Sequence, residues 1–172
     1  MREISASNFG IVIAYLVPGF TTLWGFSYFS ASLSAWIGQP AASQPTVAGF
    51  LYVTLGSLGM GMIVNAARWA TLDKIHHLTG IRYPNWDFEN LQKNLAGYET
   101  LVEFYFRYHE FFGNTLIAGS FTYLIWRWHH PAWIFAAMDV VMLGIGALLW
   151  AASRDTLRKY YIRSERLLSR RH

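Results

Sequence analysis

The chain contains no cysteine, which excludes disulfides, thiolate metal ligation and a cysteine nucleophile. Charge is the second scarcity. Asp, Glu, Lys and Arg make up 14% of the residues, against about a quarter in an ordinary soluble chain. From Ile4 to Ala67 there is no Asp, Glu, Lys, Arg or His. A water-facing domain needs charge on its surface, so this stretch excludes a conventional soluble start. Each bilayer crossing takes roughly 20 apolar residues, and the stretch is long enough for two. The first run lacks a basic leading segment and exceeds the length of a signal-peptide core, so it reads as retained.

Catalytic signatures are missing too. There is no HExxH, no repeated ExxH pair and no multi-histidine box, so a zinc or iron enzyme has no sequence support. A Walker A loop, a GxSxG turn and a glycine-rich strand-to-helix turn are also absent. The expectation is a protein that is not an enzyme, with no metal and no cofactor.

What remains is apolar and aromatic: 53% hydrophobic and 17% aromatic over 172 residues, short enough for one domain. The pattern predicts an all-α, integral membrane four-helix bundle. The crossings are expected near 8–37, 46–68, 108–127 and 132–153. A cytoplasmic helical hairpin over 69–107 and a basic helical tail over 154–172 complete the domain, so helices two, three and four extend into the cytoplasm.

Pro18 and Gly19 lie in the first crossing and are hinge candidates. Proline cannot donate to the carbonyl four residues back, here Ala14, so a neighbour must satisfy that group. The second crossing carries Gly56, Gly59 and Gly61, small residues that let helices approach closely. Gly80 is placed to stop this helix. Asn85 or Asp87 can cap the next one, and a single helix from Trp86 to Trp126 would be about 60 Å long. Glu99, Glu103 and Arg107 are spaced for an i, i+4 charge ladder. Phe104 to Phe112 is an aromatic belt of the kind found at headgroup depth.

Charge placement sets an orientation. Of the fourteen Lys and Arg, only Arg127 falls on the side opposite the termini. The positive-inside rule then puts both termini in the cytoplasm, with a bacterial inner membrane as the expected location. In the tail, Arg154, Arg158, Lys159 and Arg163 are candidates for contact with lipid headgroups. The net charge of +4 thus points to membrane lipids rather than nucleic acid.

Two constellations are candidate sites. Asp139 is an acid within the fourth crossing, where ionisable residues face a bundle interior or water. Counting inward from the outer ends of the helices puts Ser27, Ser30, Thr54, Ser57 and Ser120 at the same depth. Together they read as a polar layer or pore lining. The second cluster lies at the cytoplasmic rim. Asp73, His76 and His77 end helix two, and Glu103, Arg107, His109 and Glu110 begin the membrane part of helix three. Interfacial histidines beside carboxylates suit a gate or a pH sensor. The functional expectation is a homo-oligomeric channel or membrane-permeabilising assembly gated by its cytoplasmic helices. The alternative is a membrane-anchored adaptor that docks a cytosolic protein through the 68–110 hairpin and the basic tail.

Overall fold

The computed structural model describes residues 6–37, 47–131 and 136–169, and among these every regular element is helical. Helix α1 is Ala6–Ser27, α2 is Ala31–Ile37, α3 is Val47–Arg68, α4 is Lys74–Leu78, α5 is Leu95–Leu101, α6 is Arg107–His129 and α7 is Ala137–Leu168. Two π-helical turns join helices end to end. Trp69–Asp73 links α3 to α4, and Val102–Phe106 links α5 to α6. The core is built by α1 packing against both α3 and α6, with α7 against the other side of α6.

Two helices are long and apolar enough to cross a membrane, Val47–Leu78 and Ala137–Leu168, while Val12–Ser27 is a shorter apolar helix. The predicted first crossing does not run through to Ile37. Its helix stops at Ser27, and a tight turn follows in which Phe29 N donates to Phe26 O at 3.0 Å. Ser30 causes the restart: its Oγ accepts from Leu33 N at 3.3 Å, and a serine that caps a new helix ends the old one. The predicted loop at 38–46 and the first residues of the fourth crossing, 132–135, lie outside the described residues.

The contact between α1 and α3 is backbone on backbone. A methyl group at Gly19 would overlap Ser57 O, and one at Gly61 would overlap Tyr15 O. Only glycine permits that approach. Pro18 and Gly19, the hinge candidates, are both buried in this contact. Gly56 meets Leu23 at ordinary distance, whereas Gly59 faces open space.

Large apolar side chains cover the outside of two helices. Phe50, Leu51, Leu55, Met62 and Ile63 of α3 are exposed, as are Val140, Val141, Leu143 and Leu148 of α7. The buried side of the bundle is, by contrast, unusually polar: Thr22, Ser57, Arg68, His76, His109, Glu110, Asn114, Thr122, Ser153 and Ser164 are all buried.

Gly80 stops α4 as the sequence predicts. It adopts φ +106°, and Gly80 N and Ile81 N donate back to His77 O and His76 O at 3.2 and 3.1 Å. The expected long helix starting at Trp86 is not formed. Asp87 caps only a short 3-10 turn by accepting from Glu89 N at 3.1 Å, and continuous helix begins at Leu95. Trp86 instead folds onto the far end of α7, where its Nε1 donates to Ser164 Oγ at 3.1 Å. It joins an aromatic cluster with Tyr98, Phe106 and Tyr160 around Ile81 and Leu157. Burial raises the Tyr160 hydroxyl well above the usual range, and its contact with Tyr98 at 2.8 Å adds to the effect.

Candidate functional site

The most connected polar centre begins at Arg68, the first charge after the uncharged stretch. Its side chain is 2% exposed. Five residues at the α-helical angle would carry Asp73 roughly 140° round the helix from Arg68. The π turn over Trp69–Asp73 is wider and brings Asp73 back to the same face. Arg68 Nη1 therefore reaches both carboxylate oxygens of Asp73, at 2.8 and 2.7 Å. The opposite element, α6, enters through the second π turn, at Val102–Phe106, and presents His109 three residues later.

His109 is fully buried between these charges and α7. Its Nε2 lies 2.6 Å from Arg68 Nη1 and 3.1 Å from Asp73 Oδ1. On the other side Nδ1 lies 3.0 Å from Ser153 O and 2.9 Å from Ser153 Oγ. These distances allow two bonding states. In the neutral ring Nδ1–H donates to Ser153 O and Nε2 accepts from Arg68. In the other tautomer Nε2–H donates to Asp73, Nδ1 accepts from Ser153 Oγ, and Arg68 Nη1 must move off.

The network extends in three directions. Arg68 Nε donates to Asn114 Oδ1 at 3.1 Å, and Nη2 donates to Asn65 Oδ1 at 3.1 Å. Asn114 Nδ2 in turn donates to Ala14 O at 3.2 Å, the carbonyl that Pro18 leaves without its helical donor. Toward α7, His76 Nε2 lies 3.4 Å from Ser153 Oγ, with the His76 ring 4.7 Å from that of Trp150. Toward α1, Tyr15 Oη donates to Glu110 Oε1 at 3.3 Å, and Arg107 Nη1 donates to Glu110 Oε2 at 3.0 Å.

Asp73 and His76 lie past the apolar run of α3. Burial opposes the Asp73 carboxylate, yet its hydrogen bond with His109 and the Arg68 charge outweigh burial and hold its pKa below the usual carboxylate value. Burial pushes His76 down to about 4, with repulsion from His109 adding to it, so His76 is neutral near pH 7. The stem of Arg68 has room only because residue 113 is glycine. A methyl group there would lie 2.6 Å from Arg68 Cδ and 3.0 Å from Leu72 Cδ2.

Of the predicted rim cluster, Asp73, His76 and His109 converge. Arg107 instead pairs with Glu110, which Tyr15 also reaches, and the expected ladder partner Glu103 is exposed. His77 stands apart, stacked on Tyr83 at 3.7 Å with Nδ1 against Ile81 O. Among the described residues no three His, Asp or Glu side chains are placed to hold a metal ion, and the Arg68 guanidinium already faces both Asp73 and His109.

The predicted polar layer is not assembled as one level. Asp139 is the third residue of α7, where it accepts from Ala136 N at 2.7 Å, from Arg127 Nε at 3.2 Å and from the Tyr123 hydroxyl. It is thus a helix-capping acid in an ion pair. Ser27 Oγ donates to Trp24 O and Thr54 Oγ1 to Phe50 O, each within its own helix, and Ser30 caps α2. Ser57 is buried in the α1–α3 contact. Only Ser120 shares a surface with Asp139. Both line a groove of about 750 Å³ between α6 and α7, with Tyr123, Arg127 and Trp150.

Of the headgroup candidates, Lys159 pairs with Asp155 at 2.5 Å, and Arg163 lies over the Tyr105 ring at 4.6 Å. Sequence reasoning missed Arg68 as the hub, along with Asn65, Asn114, Ser153 and Gly113. One signal was available. Pro18 frees Ala14 O, which calls for a side-chain donor on a facing helix, and Asn114 is such a donor.

Comparison with family models, with curated proteins and with solved structures finds no match.

Proposed function

We propose that this chain is a four-span membrane protein that assembles with copies of itself into a channel or membrane-permeabilising complex, with the Arg68–Asp73–His109 network as its cytoplasmic gate. In this reading α1, α3, α6 and α7 cross the bilayer, and both termini face the cytoplasm of a bacterial cell, across its inner membrane. Lipid covers the exposed apolar faces of α3 and α7 that no neighbouring copy covers.

The observation that carries the reading is the groove between α6 and α7. It opens on the side of the bundle and has Asp139, Arg127, Tyr123 and Ser120 in its wall. The α1–α3 contact is too tight for a path, since Gly19 and Gly61 press on backbone atoms. A route for ions then runs along the lateral groove, and a second copy is what would enclose it. The buried network is suited to gating because His109 has two bonding states, and changing between them alters how α3, α6 and α7 hold together.

The test combines mass and flux. The detergent-solubilised protein should be larger than one 19.7 kDa chain. In liposomes Asp139→Asn should change the rate or selectivity of ion flux. A strictly monomeric protein would refute the pore, and flux unaltered by Asp139→Asn would reduce Asp139 to a structural lock.

A second reading has its own observation. Leu78, Tyr83 and Phe88 are exposed on the hairpin between α3 and α5, at 86%, 73% and 69%. A membrane-anchored adaptor would use such side chains to dock a cytosolic protein. Co-purification of one specific protein from cells, lost on Tyr83→Ser with Phe88→Ser, would favour the adaptor.

A further inference from the structure

We propose that the cleft between the Gly80–Arg82 turn and the adjoining face of α7 is a binding site for a phosphate-bearing anion. The cleft has a volume of about 400 Å³ and is lined by Arg82, Arg154, Arg158, Tyr161, Ile162 and Glu165, among others. The α7 members recur at three- and four-residue spacing, so one helical face supplies them all. Three guanidinium groups face one carboxylate, which leaves the cleft with a net charge of +2.

The cleft arginines differ from the ion-paired cations of the chain. Arg68, Arg107, Arg127 and Lys159 each have a carboxylate partner. Arg82 and Arg158 meet no ion pair or hydrogen-bond partner among the described residues. Arg154 is held in place by the turn itself, with Nη2 donating to Thr79 O at 2.7 Å and Nη1 to Thr79 Oγ1. One arginine is therefore oriented while two keep their donors available. Planar guanidinium groups match the oxygens of phosphate in pairs.

Position suggests how the anion arrives. Arg154 is the first charge after the uncharged residues 140–153. If α7 spans a bilayer, the cleft sits at headgroup depth, within reach of an anionic lipid phosphate. A soluble phosphate compound would enter from the aqueous side. The proposal rests on the arginines and the turn, and it holds for a monomer or an oligomer, channel or adaptor.

The full-length protein in a neutral detergent is titrated with dioctanoyl phosphatidylglycerol, dioctanoyl phosphatidylcholine and inorganic phosphate at constant ionic strength, following thermal unfolding. Stabilisation should saturate with phosphatidylglycerol and be absent with phosphatidylcholine. In Arg82→Gln/Arg158→Gln, whose altered side chains are exposed, the apparent affinity should fall by at least about tenfold. Lys93→Gln, exposed and outside the cleft lining, should leave it unchanged. A response to phosphatidylglycerol alone assigns the site to a lipid headgroup, and a response to inorganic phosphate as well assigns it to soluble phosphates. No response to either ligand, or equal loss in Lys93→Gln and in the arginine variant, would overturn the proposal.

Discussion

Replacing Asn114 by Ala should destabilise the protein mainly when residue 18 is proline. Asn114 does two things at once: it donates to Ala14 O and accepts from Arg68 Nε. It is fully buried, so water cannot take its place. Interhelical hydrogen bonds in membrane proteins are worth about 0.6 kcal/mol on average and up to about 1.7, and bonds to a charged group sit at the upper end. Losing both contacts should cost roughly 2 kcal/mol. Pro18→Ala restores an N–H that can bond to Ala14 O within the helix. In that background the carbonyl no longer needs Asn114, and only the Arg68 contact is lost. The double-mutant cycle should therefore show a coupling of about 1 kcal/mol between positions 18 and 114. The assay is reversible unfolding of the four proteins in mixed micelles, followed by circular dichroism. Equal costs of Asn114→Ala in both backgrounds would refute the claim that Asn114 serves the carbonyl freed by Pro18.

Other outcomes follow from the same geometry. Gly61→Ala drives a methyl group into Tyr15 O and should destabilise the α1–α3 pair by at least about 2 kcal/mol, while Gly59→Ala, in open space, should be neutral or gain up to about 1 kcal/mol in helix propensity. Chemical denaturation compares the two, and equal costs would contradict the close contact. Gly113→Ala should displace the Arg68 stem and lower the unfolding midpoint, by about 1–3 kcal/mol from overpacking. Arg68→Met alone should be more damaging than Arg68→Met with Asp73→Asn, because the single change leaves a buried carboxylate unpaired; the reverse order in thermal unfolding would argue against the ion pair. Acid should also destabilise the fold. His76 sits near 4 when folded against a usual 6.5, so the unfolded chain binds the proton more readily. Its stabilising effect is complete above about pH 6.5 and is lost as pH falls toward 4, on the order of 2 kcal/mol. Asp73, held below its usual value, loses its effect at still lower pH. Unfolding midpoints at pH 7 and 4.5 should converge in His76→Gln, and an unchanged pH dependence would remove His76 from the explanation.

Some of this was written in local chemistry, where the relevant partners lie a few residues apart. The uncharged stretch, the all-helical character and the stop at Gly80 all depend on neighbours in sequence, and residue order alone was enough for each. The need for a donor at Ala14 O was legible too, because proline removes a hydrogen from a known position. Tertiary structure decided the rest. Asp139 looked like a deep acid when depth was counted from Pro131, but α7 begins at Ala137, so the same residue caps a helix. Arg68 ended the predicted second crossing, and a π turn that no propensity scale predicts folded Asp73 back onto it. Asn114, His109 and Ser153 became one network only when α1, α3, α6 and α7 met. Hydrogen bonds between helices depend on relative rotation and register, and side-chain order along one chain does not encode these. The absence of charge from residues 4–67 was determined by the sequence alone; why its first break, at Arg68, is buried was decided by the surrounding helices.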